Sequence, residues 1–325
     1  MIPAKLDAGD EVGVVSPAVS LGFIPGEQRQ LAEERWRGLG LRVSYSPNAE
    51  VLDRFDSSPV EARVSDLHGA FADPEVKGMI TTLGGYNSNQ LLSRLDYGLI
   101  GAAPKVLCGF SDITALATAI HARTGLVTYS GPHFTTLGMK RGIEYTIDYF
   151  ERCVMRDKPF KVEPADHWSD DLWYEDQENR RFVPNPGYDV LREGEAEGKI
   201  LGGNLGTLAL LFGTSYMPSL EGAILLLEED EEVEPHHFDR NLQSLLHQPG
   251  FEAVRGIVFG RFQRASNMDL ETLKEIVGTR PELKRLPLVA NASFGHTTPT
   301  FTFPIGGTGT LRAHANDPAL RIETH

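Results

Sequence analysis

Cysteine is scarce in this 325-residue chain, which contains only Cys108 and Cys153. Two cysteines are too few for a disulfide scaffold or a thiolate metal site, and Cys108 lies in an apolar run typical of a protein core. Long apolar runs are also missing, so no segment is predicted to span a membrane. The first residues, MIPAKLDAGDEV, lack the basic and apolar stretches of a secretory signal. We therefore expect a soluble, cytoplasmic protein.

Basic residues are outnumbered, because 31 Lys and Arg stand against 45 Asp and Glu and give a net charge of −14. Such a charge repels phosphate backbones, so nucleic acid and anionic membranes are not expected as partners, whereas a small nucleotide in a local pocket is compatible with it. The paired glycines after Leu83 match neither the phosphate-loop pattern G-x-x-x-x-G-K-[ST] nor the dinucleotide-binding pattern G-x-G-x-x-G. No cofactor is predicted.

Apolar, β-branched runs alternate with helical patterns along the first hundred residues. Residues 11–16 and 78–83 are predicted strands, and residues 25–39 and 59–71 are predicted helices. This order predicts an α/β fold with a mostly parallel, doubly wound sheet, whose ligand crevice lies at the carboxyl ends of the strands. A similar alternation resumes near residue 198.

The length of the chain fits two domains joined by a connecting segment. We predict an N-terminal α/β domain at residues 1–155, the connecting segment at residues 156–197 and a smaller C-terminal α/β domain at residues 198–325. The connecting segment is polar and proline-rich, which is typical of an inter-domain connection or an active-site lid. Its Trp168 and Trp173 are predicted either to stack on a planar ligand or to pin the segment to the protein.

The stretch KVLCGFSDITALATAIHART, residues 105–124, predicts a strand that turns sharply into a helix at Ser111. A serine at this turn lies beside free backbone N–H groups and the positive end of the helix dipole, which stabilise a developing oxyanion. The stretch resembles a nucleophile elbow, although Ile113 replaces the second glycine of G-x-S-x-G. The alternative is that Ser111 or Asp112 only caps the helix.

Paired glycines follow another predicted strand, in the sequence LGGYNSNQ at residues 83–90. Glycine allows close approach of the backbone, so the N–H group of Gly85 is a candidate second donor to an oxyanion. The alternative is a tight turn in which Asn87 or Ser88 caps the next helix.

Two motifs in the C-terminal half contribute further candidate side chains. The predicted strand at residues 222–227 ends in carboxylates, of which Glu228 comes first and is a candidate to orient a histidine. His296 follows a glycine in a loop, from which it can approach a serine of another domain. The order Ser, acid, His is that of α/β-hydrolases. The alternatives for the acidic stretch are a solvated loop or a metal site formed by Glu231, Glu234, His236 and His237.

Five motifs together resemble the LD-carboxypeptidase and microcin-immunity family of serine peptidases, in the order typical of that family. They are GGYNSNQLL (84–92), GFSDITAL (109–116), GGNLGTL (202–208), LLLEED (225–230) and GHTTPTFTFPIG (295–306). The resemblance implies an N-terminal glutamine-amidotransferase-like domain, a C-terminal α/β domain and a Ser–Glu–His triad between them. It also implies a homodimer.

Carried over to this chain, the resemblance makes Ser111 the nucleophile, His296 the general base and then acid, and Glu228 the residue that orients the imidazole. The backbone N–H groups of Gly85 and Asp112 are the implied oxyanion hole. Such an arrangement fits the chemistry, because a serine needs an adjacent base and a tetrahedral oxyanion needs preorganised donors.

The resemblance assigns Asn204, within GGNLGTL, to the substrate-binding residues. The family usually has Glu-Asp at the strand end where this chain has Glu228 and Glu229, so the sequence leaves open which carboxylate faces the histidine.

Within the family, the sequence motifs SNQLL and GHTTP resemble those of the microcin-immunity branch. Its members cleave the amide that joins a peptide or aminoacyl group to a nucleotide-like moiety, and an aromatic residue of the connecting loop stacks on the base. Trp173, or otherwise Trp168, matches that role. A lysine of some members is replaced here by Glu231 and Glu232, which puts binding of an anionic linker in doubt.

Three alternative functions follow from the same residues. The other branch of the family, which implies LD-carboxypeptidase activity in murein tetrapeptide recycling, is the first. A metal-dependent hydrolase and a non-catalytic ligand-binding protein are the others. The presence of a serine, a glutamate and a histidine in the family's motifs counts against a non-catalytic protein.

Overall fold

Two large β-sheets flanked by helices form the protein in the computed structural model, which describes residues 1–325. The strands are β1 (Glu11–Val15), β2 (Arg42–Tyr45), β3 (Val76–Thr81), β4 (Val106–Cys108), β5 (Thr128–Ser130), β6 (Phe160–Val162), β7 (His167–Trp168), β8 (Val183–Pro184), β9 (Asp189–Arg192), β10 (Gly194–Asn204), β11 (Ala223–Glu228), β12 (Gly256–Gly260), β13 (Leu288–Ala292), β14 (Phe303–Ile305), β15 (Thr308–Ala313) and β16 (Ala319–Thr324). The helices are α1 (Gly26–Gly38), α2 (Val60–Ala72), α3 (Tyr97–Ala102), α4 (Ile113–Thr124), α5 (Glu144–Phe150), α6 (Leu205–Ala209), α7 (Pro235–Leu246) and α8 (Leu270–Gly278).

The first sheet has the strand order β14-β5-β4-β3-β1-β2. Strands β1 to β5 run parallel, and β14 is antiparallel to β5. Strand β1, EVGVV, is apolar after its first residue and is buried there, as expected for a parallel strand covered on both faces. The predicted α/β class is therefore correct at the level of a mixed α/β protein.

The second sheet has the strand order β6-β16-β15-β10-β11-β12-β13-β9. Its central strands β10 to β13 are parallel, while the strands on both sides are antiparallel to their neighbours. Every residue of β11 is buried, including Glu228 at its carboxyl end. A single apolar cluster extends through both sheets, and no helix is long and apolar enough to cross a bilayer.

Strand pairing crosses the predicted domain limits at two places. The connecting segment, predicted to be an inter-domain connection or an active-site lid, supplies β6, β9 and the start of β10 to the second sheet. In addition, β14 comes from the C-terminal part of the chain and pairs with β5 of the first sheet. Strands β6, β9 and β14 have only three or four residues each, so they lack the longer apolar run that marked the central strands. The domain limits themselves stay a prediction.

Candidate active site

The turn between β4 and α4 holds Ser111 in a backbone conformation that is unusual for a serine. Its φ is 58°, in the left-handed region that costs most side chains energy and that clusters at functional sites. The chain packs closely at this turn, because a Cβ atom on Gly109 would lie 2.1 Å from Thr81 Oγ1. The turn therefore presents the hydroxyl at the amino end of a 12-residue helix.

His296 lies between Ser111 and Glu228, although the three residues are far apart in the sequence. Its Nε2 is 3.0 Å from Ser111 Oγ, and its Nδ1 is 2.7 Å from Glu228 Oε2. Both distances are in the range of hydrogen bonds. The structure thus brings together a hydroxyl, an imidazole and a carboxylate in the order that nucleophilic catalysis by serine requires.

The two consecutive glutamates at the end of β11 point in different directions. Glu228 contacts the histidine, whereas the carboxyl oxygens of Glu229 lie 3.3 and 3.4 Å from where a Cβ atom on Gly206 would be. Burial, with added repulsion from Glu228 and Asp230, raises the pKa of Glu229 to about 8. In the structure, therefore, Glu228 is the carboxylate that faces His296.

The charge of Glu228 controls the protonation of His296. Burial by itself would lower the pKa of the imidazole, but the adjacent Glu228 carboxylate outweighs it and raises the pKa to about 9. The pair therefore stabilises the imidazolium, which is the state a histidine reaches after taking a proton from serine. Because the pKa of His296 is about 9, the fraction of neutral imidazole increases as the pH rises toward that value.

Asp112 attaches the glycine loop, residues 83–90, to the turn that carries Ser111, and its side chain does not cap α4. Its carboxylate accepts hydrogen bonds from the backbone N–H groups of Asn87, at 3.1 Å, and Ser88, at 2.8 Å. The Ser88 hydroxyl donates to the Asp112 carbonyl oxygen at 2.7 Å. Because the Asp112 side chain makes no cap hydrogen bond, the simple capping interpretation does not describe it.

The glycine loop lies directly against the serine. A Cβ atom on Gly84 would be 2.9 Å from Ser111 Cβ, so only glycine permits this approach. Next to it, Gly85 has a φ of 146°. The backbone N–H groups of Gly85 and Asp112 donate to no protein acceptor, which leaves both available to a ligand. Their oxyanion role stays a prediction.

A cavity of about 630 Å³ opens over Ser111 and His296. The connecting segment forms one wall through Trp173 and its neighbours, and Trp173 also packs partly against the core. Two backbone hydrogen bonds of 2.8 Å between Ser169 and Thr298 attach this segment to the loop that carries His296. Both proposed roles of Trp173, lining a ligand site and holding the segment, are compatible with this position.

Trp168 and Asn204 do not line the cavity. The guanidinium groups of Arg261 and Arg264 lie 4.7 and 4.3 Å from the Trp168 ring, so cation–π contacts hold it. The Asn204 side chain accepts a hydrogen bond from the backbone N–H of Thr207 at 2.9 Å and caps α6. The Trp168 ring and the Asn204 side-chain oxygen each contact a neighbouring part of the protein, while Asn204 Nδ2 has no hydrogen-bond partner. Their substrate-binding roles stay predictions.

His133 lines the cavity and was missed by the sequence analysis. Its Nδ1 lies 2.8 Å from Thr81 Oγ1, and its ring stacks on Phe110 at 4.4 Å. Burial lowers the pKa of His133 to about 3, so the ring is neutral. The available signal was its place just after β5, because strand ends in a parallel sheet face the ligand crevice.

The alternative metal site does not form. No three or more side chains of His, Cys, Asp or Glu converge in an arrangement that holds a metal ion. His236 and His237 lie in the first turn of α7 and stack on each other with a centroid distance of 4.1 Å. The metal-dependent hydrolase therefore has no geometric support among these residues.

Comparisons with known proteins agree across the whole chain. The family model of the LD-carboxypeptidase N-terminal domain matches residues 12–131, and that of the C-terminal domain matches residues 197–311. The putative carboxypeptidase YocD of Bacillus subtilis is 51% identical over 325 residues, covering 100% of both chains.

Solved structures give the same result. An MccF-like protein from Bacillus anthracis is similar with a TM-score of 0.99 and 53% identity, covering 100% of both chains. The microcin C7 self-immunity protein MccF in complex with aspartyl sulfamoyl adenosine has a TM-score of 0.90 and 26% identity, covering 100% of this chain and 99% of that one. The chain therefore belongs to the LD-carboxypeptidase family, which includes the microcin-immunity protein, and is an enzyme of the serine carboxypeptidase type.

Proposed function

We propose that the protein hydrolyses the amide bond between a peptidyl or aminoacyl group and a nucleotide-like moiety, using Ser111, His296 and Glu228. The observation that carries this proposal is the position of His296, with one nitrogen 3.0 Å from a serine hydroxyl and the other 2.7 Å from a buried carboxylate. The strained serine turn and the cavity above it support the same assignment.

In the proposed reaction, Ser111 Oγ attacks the carbonyl carbon of the substrate while His296 Nε2 takes the hydroxyl proton. The negative charge on the tetrahedral oxygen is held by the N–H groups of Gly85 and Asp112. His296 then gives the proton to the leaving nitrogen, and an acyl-enzyme remains. Water, activated by the same histidine, releases the acid and restores Ser111.

Glu228 has a positioning and electrostatic part in these steps. Its bond to Nδ1 fixes the tautomer that leaves Nε2 free to face the serine. Its charge stabilises the imidazolium formed after proton transfer, in line with the raised pKa of His296.

The nucleotide part of the proposed substrate has two supports. The related protein MccF binds aspartyl sulfamoyl adenosine in a solved structure. In this chain, Trp173 and Tyr174 line the cavity and offer aromatic rings for a base to stack on. The family resemblance also supports a homodimer, which light scattering of the purified protein tests.

A substrate comparison tests the proposal. Purified protein is offered an aminoacyl-sulfamoyl adenosine and, separately, an LD-linked muropeptide, and products are followed by mass spectrometry. We expect hydrolysis of the nucleotide compound, and loss of kcat by on the order of a thousandfold or more in Ser111→Ala, which folds normally because only a small polar group is removed.

The possible results separate the candidate functions. Turnover of the muropeptide alone would favour the LD-carboxypeptidase of murein recycling. Near-full activity of Ser111→Ala would contradict the serine mechanism, and loss of wild-type activity in EDTA would favour a metal-dependent hydrolase instead.

A further inference from the structure

The backbone conformation of Gly85 depends on its neighbours. Its φ of 146° is one of many that a glycine adopts freely, so the residue itself does not fix the direction of its N–H group. A donor to an oxyanion stabilises the transition state most when it needs no rearrangement during the reaction. The glycine loop therefore requires fixed attachments on both sides of Gly85.

On one side of Gly85, the loop after β1 holds the backbone. The N–H group of Val19 donates to the carbonyl oxygen of Gly84 at 3.0 Å. The same loop packs against Gly85, because a Cβ atom there would lie 3.1 Å from Val19 Cγ2 and 3.2 Å from Ala18 Cβ. The position of this loop therefore affects the position of Gly85.

On the other side, the guanidinium group of Arg63, from α2, contacts the glycine loop. Its Nη1 donates to the carbonyl oxygen and to the side-chain Oδ1 of Asn87, at 3.1 and 2.9 Å, and its Nη2 donates to Gln90 Oε1 at 2.8 Å. Its Nη1 also lies 3.0 Å from the carbonyl oxygen of Pro17, in the loop after β1. One side chain thus joins the two loops that surround Gly85.

The peptide unit between Asn87 and Ser88 lies between two buried groups of opposite charge. Its carbonyl oxygen accepts from Arg63, and its N–H group donates to the Asp112 carboxylate at 2.8 Å. Arg63 is 3% exposed, yet its acceptors are carbonyl and amide oxygens and not a carboxylate. Because burial of a cation without a paired carboxylate costs free energy, the loop that it holds explains Arg63 better than a gain in stability does.

We infer that Arg63 is a positioning residue for the reaction, which holds the N–H group of Gly85 where the oxyanion forms by fixing Asn87 and Gln90. The inference rests on the proposed function, in which Gly85 is an oxyanion donor, and it adds a residue that does not line the cavity. A displaced donor weakens the charged transition state and not the bound substrate. Loss of the Arg63 contacts therefore lowers kcat and leaves substrate binding nearly unchanged.

Arg63→Lys tests this inference, since lysine keeps the charge but lacks the fork of donors that contacts Asn87 and Gln90 together. We expect kcat to fall by about tenfold to a hundredfold, with KM changed by less than about twofold, as a small displacement of an oxyanion donor gives. Steady-state kinetics with the aminoacyl-sulfamoyl adenosine measure both constants.

Arg280→Lys is the matched control. The Arg280 side chain is 13% exposed, bonds Asp239 of α7 and, like Arg63, has an Nε without a hydrogen-bond partner. It does not line the cavity. Its replacement by lysine should lower the melting temperature and leave kcat as it is.

An alkyl fluorophosphonate gives a readout that does not depend on the substrate. Ser111 Oγ forms a bond to phosphorus as fluoride leaves, His296 takes the hydroxyl proton, and the phosphoryl oxygen gains negative charge as a carbonyl oxygen does. The rate constant of inactivation should fall in Arg63→Lys by about the same factor as kcat. A merely destabilised enzyme would keep this rate constant and show a smaller fraction of reactive serine, which titration with the phosphonate measures.

The outcomes separate this inference from the proposed function. Equal inactivation rate constants in the wild type and in folded Arg63→Lys overturn the inference while the hydrolase function stands. A wild type that reacts with the phosphonate but does not hydrolyse the nucleotide compound contradicts the proposed substrate, and the phosphonate rates still decide the inference. Absence of any reaction at Ser111 in the wild type overturns the serine mechanism and the inference with it.

A second variant replaces Arg63→Lys if that protein does not fold. Gln90→Ala removes the acceptor of Arg63 Nη2 from an exposed side chain. We expect kcat and the inactivation rate constant to fall together by about threefold, as loss of one hydrogen bond of the attachment gives. Unchanged rate constants in Gln90→Ala would then overturn the inference.

Discussion

Glu228 and Glu229 are adjacent carboxylic acids with different surroundings. The carboxylate of Glu228 lies 2.7 Å from His296 Nδ1 and raises the pKa of the imidazole, which reaches about 9. Glu229 is 1% exposed, and its raised pKa of about 8 keeps it mostly protonated at neutral pH. Substitution by glutamine therefore has a different effect at each position: it removes the carboxylate that contacts His296 at Glu228, and it replaces a mostly neutral acid at Glu229.

Glu228→Gln is expected to lower kcat by on the order of a thousandfold or more, because it removes the charge that stabilises the imidazolium and disturbs the tautomer. KM should change little. Glu229→Gln should alter kcat only slightly, since glutamine resembles the neutral acid already present. Steady-state kinetics of both variants check this, and a larger effect at Glu229 would contradict the assignment of the orienting carboxylate.

At the scale of elements, the connecting segment carries two tryptophans in different settings. Trp173 lines the cavity, whereas Trp168 does not line it and contacts two arginine side chains. The family resemblance placed Trp173 before Trp168 for base stacking. No local pattern showed the setting of Trp168, because the arginines that contact it come from residues 261–264.

Trp173→Ala is expected to weaken adenylate-type substrates through lost base stacking, by about 1 to 3 kcal/mol in kcat/KM. A peptide-only substrate should barely change. Trp168→Ala is the matched control, which should lower the melting temperature and affect both substrates alike. If Trp173→Ala lowered kcat/KM by the same factor for both substrates, the role of Trp173 would be structural. The proposal of a nucleotide-like substrate would then lose its support from Trp173.

The elements that the sequence predicted best are those with a strong apolar run. Strands β1, β3 and β11 are central and buried, and the turn at Ser111 follows such a strand. The sequence did not predict that β6 pairs with β16, because these strands are far apart in the sequence. Both strands also mix polar with apolar residues, which weakens the pattern of a strand. The grouping of Ser111, Glu228 and His296 came from motifs, since no local pattern encodes a contact across 185 residues.

For the whole molecule, two buried groups make stability depend on pH. The pKa of Glu229 is about 8 in the folded protein against 4.5 for a free side chain, and that of His296 is about 9 against 6.5. Between pH 6.5 and 8 the folded state therefore holds more protons than the unfolded state at these groups, with two as the upper limit. Since stability falls with pH wherever the folded state binds more protons, both contributions decline as the pH rises.

We expect the free energy of unfolding to fall from pH 6.5 to 8 by up to about 1.4 kcal/mol per pH unit for each of the two groups. Urea denaturation at several pH values measures this slope. In Glu229→Gln only the histidine contribution remains, so the slope should be about half. Glu234→Gln, a control on the exposed surface, should keep the full slope, and an unchanged slope in Glu229→Gln would contradict the assigned burial effect.

The antiparallel strand β14 has a consequence for synthesis of the protein. It covers the outer edge of β5 in the first sheet, yet it is encoded near the far end of the chain, at residues 303–305. During translation, the early strands leave the ribosome with that edge unpaired, and an open edge invites association with other chains. The edge of β5 therefore stays unpaired until residues 303–305 have left the ribosome.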